Sequence, residues 1–162
     1  RAPTRDASTG TDLVGPTLMI YGTEDQKSKY LPRIADGTDV YCQGFSESES
    51  GSDLASLKLS AIEDGDDYVL NGSKIWTSSA HRASHCYLMA RTDATAPKHK
   101  GISVFIIEME TQIKELVLIH VAGNMMLKKP QLTPGEIFLL TQLPTPLLTQ
   151  QLTHNFLFLY ST

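Results

Sequence analysis

The 162-residue sequence has little cysteine, one tryptophan, no excess of basic charge and no long apolar run. Each scarcity excludes something. A formal net charge of −4 and a pI near 5.7 argue against a nucleic-acid partner, which needs a basic face. No apolar run approaches the ~18 residues that span a bilayer. The chain starts at Arg1 rather than Met, and no charged-then-apolar leader follows. The expectation is therefore a fragment or a processed chain that is not secreted, with bacterial cytoplasm and mitochondrial matrix both suitable. Two cysteines, Cys42 and Cys86, are too few for a disulfide framework. In a reducing compartment they are expected as small buried hydrophobes. No Gly-rich phosphate loop, C-x-x-C, H-E-x-x-H or G-x-S-x-G is present. His81 and His85 lie four apart with Cys86 adjacent, but the segment turns to strand at His85 and no second ligand cluster follows. No metal site is assigned.

What is present suits a domain with a core: 41% hydrophobic and 20% charged residues. The pattern predicts an α+β fragment, with short helices followed by an antiparallel β-barrel or sandwich and then an irregular C-terminal tail. In residues 1–40, Arg1 to Gly10 is small, polar and frayed. Leu18, Met19, Ile20 and Tyr21 form an apolar run ended by Gly22. Thr23 with Gln26 three residues on is a capping-box pattern. Tyr30, Leu31 and Ile34 should face inward, Pro32 should split the segment into two short helices, and Gly37 should cap its end. In residues 41–110, apolar and polar residues alternate between turn signals. Strands are expected at 40–45, 57–63, 68–70, 74–77, 85–91 and 102–109. Asp64-Gly65-Asp66-Asp67 is a hairpin turn, and Asn71-Gly72 is expected as a type I′ turn pairing residues 68–70 with 74–77. In residues 111–162 charge thins out and prolines recur, which prevents a long helix. Residues 113–121 suit a strand or a short helix.

Most chemical signals have a plain reading. Asn71-Gly72-Ser73 matches a glycosylation acceptor but reads as a turn in an intracellular protein. Ser46-Glu47-Ser48-Glu49-Ser50 reads as a solvated acidic loop or a kinase target. What rises above background is a joint pattern. One strand delivers Gln43, Gly44, Phe45 and Ser46 into a loop that ends Gly51-Ser52-Asp53; a second segment delivers Trp76, Thr77 and Ser78. A flat cofactor needs amides and hydroxyls along one edge and an apolar wall on one face. Ser46, Thr77 and Ser78 beside Phe45 and Trp76 supply both. A tryptophan in the barrel core with hydroxyls in turns fits the same spacing, and spacing alone favours it.

Ordered motifs over residues 15–109 resemble the acyl-CoA dehydrogenase family. GTEDQKSKYLPRIADG looks like the end of its N-terminal helical domain. QGFSESESGSD looks like its loop S/T-E-P-G-A-G-S-D, and NGSKIWTS looks like its N-G-x-K-x-W-x-[ST] motif. APKHKGISV is similar to its next linker and strand. The resemblance implies an FAD-binding middle β-domain over residues 41–110, preceded by the tail of a helical domain over 1–40 and followed by a divergent tail over 111–162. It implies that Gln43, Gly44, Phe45 and Ser46 wrap the flavin edge, that Trp76, Thr77 and Ser78 cover the ring, and that Ser52 lies along the acyl-CoA. The reaction implied is α,β-dehydrogenation of an acyl-CoA thioester. Its catalytic glutamate comes from a helical region outside these motifs, so the isolated chain is expected to be inactive. An electron-transferring flavoprotein is the implied acceptor and a homo-oligomer the implied assembly.

The sequence departs from that pattern where P-G-A is replaced by Ser48-Glu49-Ser50. A residue with a Cβ at a left-handed glycine position costs roughly 1–2 kcal/mol, and Glu49 adds negative charge near the expected path of the CoA phosphates. After Met109 the motifs stop. Two other readings share the signals: a flavin-dependent acyl-CoA oxidase or monooxygenase, and a non-catalytic β-domain module.

Overall fold

A computed structural model describes residues 9–65, 67–109 and the backbone of 124–132. A π-helical turn, Gly10–Val14, leads into α1, Gly15–Tyr21, with Pro16 in its first turn. Of the apolar run in α1 only Leu18 turns inward; Met19 and Ile20 stay exposed. Helix α2, Glu24–Ala35, starts on the capping box expected from Thr23 and Gln26, whose two reciprocal bonds are both made. Glu24 and Asp25 add negative charge at the positive end of the helix dipole. Tyr30 and Ile34 are buried and Leu31 packs beside them.

Pro32 does not split this helix, contrary to expectation. It stands in the last turn, where few bonds remain to be broken. An interior proline costs about 3 kcal/mol. Tyr30 and Ile34 straddle it, and burying each contributes about 1.5–3 kcal/mol. Arg33 then clamps the exit by donating Nε and a terminal nitrogen to the Asp39 carboxylate at 2.8 and 2.6 Å.

The strands are β1 (Tyr41–Gly44), β2 (Ser60–Asp64), β3 (Asp67–Ile75), β4 (His85–Arg91), β5 (Ile102–Glu108) and β6 (Asn124–Leu132). They form one sheet in the order β1-β4-β2-β3-β6, with β5 also paired to β4. The expected antiparallel meander is corrected here. β1 and β2 both run parallel to β4, opposite its start and its end respectively, so the sheet is mixed. A parallel partner needs a long crossover, and the 40 residues between β1 and β4 provide it by carrying β2 and β3. Among the described residues no ladder joins β5 to β6, so the sheet is not closed. The expected irregular tail is also corrected in part: 124–132 is a strand on β3. Residues 1–8, 113–121 and the run 156–160 lie outside the described residues.

β4 and β5 are buried on both faces. Tyr87, Met89, Val104 and Ile106 meet the helices; Cys86, Leu88, Phe105 and Ile107 fill the opposite core. Cys42 and Cys86 are free, buried and opposite each other in the β1–β4 register. The Cys86 thiol is pushed up by its hydrogen bond with Cys42 and by burial.

The Asp64-to-Asp67 hairpin forms as read, with Gly65 at φ +66°. The Asn71-Gly72 hairpin does not. β3 runs straight through that dipeptide, with a register shift against β6 between Val69 and Asn71. Gly72 serves close approach: a Cβ there would stand 2.8 Å from the Leu59 Cα, and its φ is +142°. Backbone strain of about 1–2 kcal/mol adds to overpacking of about 1–3 kcal/mol. Gly72→Ala is therefore expected to destabilise the chain by about 2–4 kcal/mol. A urea midpoint equal to that of the unsubstituted chain contradicts this role for Gly72.

Candidate functional site

The two segments singled out in the sequence come together at the end of β1. The Ile75 N–H donates to the Ser46 carbonyl at 2.9 Å, joining the end of β3 to the loop after β1. Beneath that bond lies a buried ion pair. Lys74 is 0% exposed, and its Nζ donates to the Phe45 carbonyl at 3.0 Å and to Glu47 Oε1 at 2.8 Å. Glu47 also accepts from the Leu59 N–H at 2.9 Å and the Lys58 N–H at 2.7 Å. Burial alone would raise the Glu47 carboxyl. The Lys74 hydrogen bond and the two backbone donors outweigh it and hold the carboxyl below the usual carboxylate range. Burial pulls the Lys74 ammonium below the usual lysine value, with Glu47 opposing it. The sequence reading left both residues without a role. Their signal was present, since each stands at a fixed place in one of the two motifs.

Past Ile75 the chain leaves the sheet. Trp76 takes φ +55° and is 73% exposed. A bulky residue at positive φ costs about 1–3 kcal/mol and persists only where its surroundings hold it. Here Lys74 holds it from before, and the Ser78 N–H donating to the Trp76 carbonyl at 2.9 Å holds it from after. Thr77 is 1% exposed, and its hydroxyl has no hydrogen-bond partner among the described residues. Ser78 is exposed.

Gln43 and Ser46 are half-buried and Gly44 is buried. Phe45 departs from its expected place in an aromatic wall: its ring is buried against Tyr87 in the helix-side core, with centroids 5.7 Å apart. Alternation from β1 puts it on the same face as Tyr41, in the helix-side core, while Cys42 lies in the opposite core. Ser52 is exposed in the loop after Ser50. Glu47 and Ser50 exchange backbone bonds across that loop. Glu49 is not among the residues at positive φ, so the strain expected from replacing glycine there is absent. Its charge is met by the Lys58 ammonium. Asp53 is bonded by the Ser56 hydroxyl and faces Lys98 at 3.7 Å.

A cleft of about 180 Å³ lies beside this loop, lined by Glu47, Ser48, Glu49, Lys58, Leu59, Gly72 and Ser73. A second, of about 390 Å³, lies at the Tyr41 end of β1 among Lys29, Arg33, Asp39, His85 and Glu108. Its cations are already matched by its carboxylates. Among the described residues no three His, Cys, Asp or Glu side chains gather as metal ligands, and no helix is long and apolar enough to cross a membrane.

Comparison with known proteins fits this architecture. The family profile "Acyl-CoA dehydrogenase, middle domain" matches residues 42–127, and "Acyl-CoA dehydrogenase, N-terminal domain" matches residues 4–38. The chain belongs to the acyl-CoA dehydrogenase family. It is 43% identical over 121 residues to acyl-CoA dehydrogenase IpdE1 of Mycobacterium tuberculosis, a match covering 73% of this chain and 31% of that protein. Its fold is similar to that in the ChsE4-ChsE5 complex from Mycobacterium tuberculosis, with TM-score 0.75 and 33% identity, covering 93% of this chain and 41% of that one. It is also similar to a glutaryl-CoA dehydrogenase from Mycobacterium smegmatis solved with FADH2, with TM-score 0.67 and 25% identity, covering 90% of this chain and 39% of that one. The chain thus spans about a third of the length of the curated relative.

Proposed function

We propose that this chain is the flavin-holding part of an enzyme that dehydrogenates an acyl-CoA thioester at its α,β carbons. One observation carries the reading. Thr77 buries a hydroxyl with no partner among the described residues, directly beside an exposed tryptophan held at positive φ. A buried hydroxyl left unpaired costs about 1–3 kcal/mol, and strain at Trp76 adds to it. Both are relieved or used if a flat, polar-edged ligand lies there. The donor set fits FAD: hydroxyls at Ser46, Thr77 and Ser78, backbone at Gln43, Gly44 and Phe45, and the Trp76 indole as a wall. When bound, the flavin supplies the two-electron acceptor for the reaction. The chain's own residues bind its edge, shield one face and orient it. Ser52 is proposed to lie along the acyl-CoA. An electron-transferring flavoprotein is the proposed acceptor, and a homo-oligomer the proposed assembly of the complete enzyme.

The test is an FAD titration monitored by tryptophan emission. Trp76 is the only tryptophan, so its signal is unambiguous. Binding should quench it. Binding detected by dialysis without a change in emission overturns the placement of Trp76; no binding at all overturns the reading.

A further inference from the structure

We infer that the Glu47–Lys74 pair is a positioning device that locks the two halves of the proposed flavin edge into one unit. The inference rests on the reading above for its ligand, but the device itself is a matter of geometry.

Three separate stretches of chain meet at this pair. Lys74 reaches from β3 to the Phe45 carbonyl at 3.0 Å. Glu47, two residues on, accepts from Lys74 and from the Lys58 and Leu59 backbone. The Ile75–Ser46 bond closes the same seam at 2.9 Å. Phe45 and Ser46 therefore cannot move relative to Ile75 without breaking a charge-assisted bond inside the protein. Trp76 begins one residue later. It leaves the strand at a backbone angle its side chain disfavours, so the last regular residue before it must be held firmly. Lys74 does this through an ammonium with no solvent exposure.

Core stability alone does not explain the pair. A buried ion pair is often replaceable by apolar residues at little or no loss of stability. An apolar side chain at 74 would still fill space, but it would leave the Phe45 carbonyl without its donor and the seam without its cross-bond. Positioning and stability therefore separate in the right variants. Lys74→Met removes the bridge and strands the Glu47 charge. Adding Glu47→Gln removes that charge while keeping an acceptor for one of the two backbone donors.

The experiment compares the unsubstituted chain, Lys74→Met and Lys74→Met/Glu47→Gln by thermal melting, amide hydrogen exchange and FAD titration. Melting should fall in the single variant and recover in part in the double. Exchange at the Ile75 amide should rise in both. FAD should bind at least about tenfold more weakly in both, the scale of one lost charge-assisted bond, with a smaller quench of Trp76. Recovery of affinity and Ile75 protection together with melting would mean the pair is merely structural and would overturn the inference. So would unchanged Ile75 exchange in Lys74→Met, which is read without flavin. Failure of the unsubstituted chain to bind FAD overturns the functional reading instead, and the exchange data still decide the role of the pair.

Discussion

Glu47→Ala is expected to remove about 3–5 kcal/mol of stability, the range for breaking a buried pair by deleting one partner. The side chain of Glu47 is 9% exposed and that of Lys74 0%. Deletion leaves a buried ammonium without its carboxylate and two backbone N–H groups, of Lys58 and Leu59, without their acceptor. Nothing in an alanine replaces either. Chemical denaturation gives the size of the loss, and an effect below about 1 kcal/mol, the scale of an exposed pair, would contradict the burial argument. The same residue sets a pH dependence. The folded Glu47 carboxyl titrates below its ordinary value of 4.5. Its stabilisation is thus complete above pH 4.5 and is lost as pH falls through the folded value. Asp36, Glu49, Asp53 and Asp93 are lowered as well and contribute to acid sensitivity. The difference between the unsubstituted chain and Glu47→Ala isolates Glu47. That difference should shrink as pH is lowered below 4.5, and a constant difference would show that the carboxylate charge is not what matters.

The second large effect is on turnover. The 162-residue chain by itself is not expected to reduce an electron acceptor with a straight-chain acyl-CoA. Proton abstraction beside a thioester needs a carboxylate within hydrogen-bond reach and with a proton affinity suited to the task, a contribution of about 10²–10⁴-fold. Many described carboxylates are already committed. Asp39 holds Arg33, Glu47 holds Lys74, Glu49 holds Lys58 and Glu108 faces Lys29. Glu63 accepts from the Tyr68 hydroxyl at 2.7 Å. Among the described residues, every carboxylate with a shifted proton affinity is shifted down, away from a base poised near neutrality. Trp76 also stands open to water, which weakens any electrostatic assistance that relies on a dry site. The assay is dye reduction by the flavin-loaded chain. Turnover that vanishes in Ser46→Ala or Trp76→Ala would show a complete site here and refute the expectation.

Short-range signals were legible in the sequence because their physics is local. The capping box needs only Thr23 and Gln26 on one turn. The Asp64-to-Asp67 hairpin needs only a glycine at the right step, and β4 and β5 announce themselves as apolar runs. The motifs around Ser46 and Trp76 were legible as motifs, and with them the family. Tertiary structure decided the rest. Asn71-Gly72 has the chemistry of a tight turn, yet β2 and β6 pair along β3 and Leu59 packs against Gly72, so the dipeptide stays extended. Pro32 has the chemistry of a helix break, yet buried neighbours on both sides carry the helix through it. Phe45 reads as an aromatic wall until strand alternation turns its ring into the core. Glu47 reads as a solvated acid until the fold brings Lys74 from 27 residues away and buries both. In each case a local preference of one to a few kcal/mol meets burial or pairing of similar size from a distant segment, and only the folded chain determines which prevails.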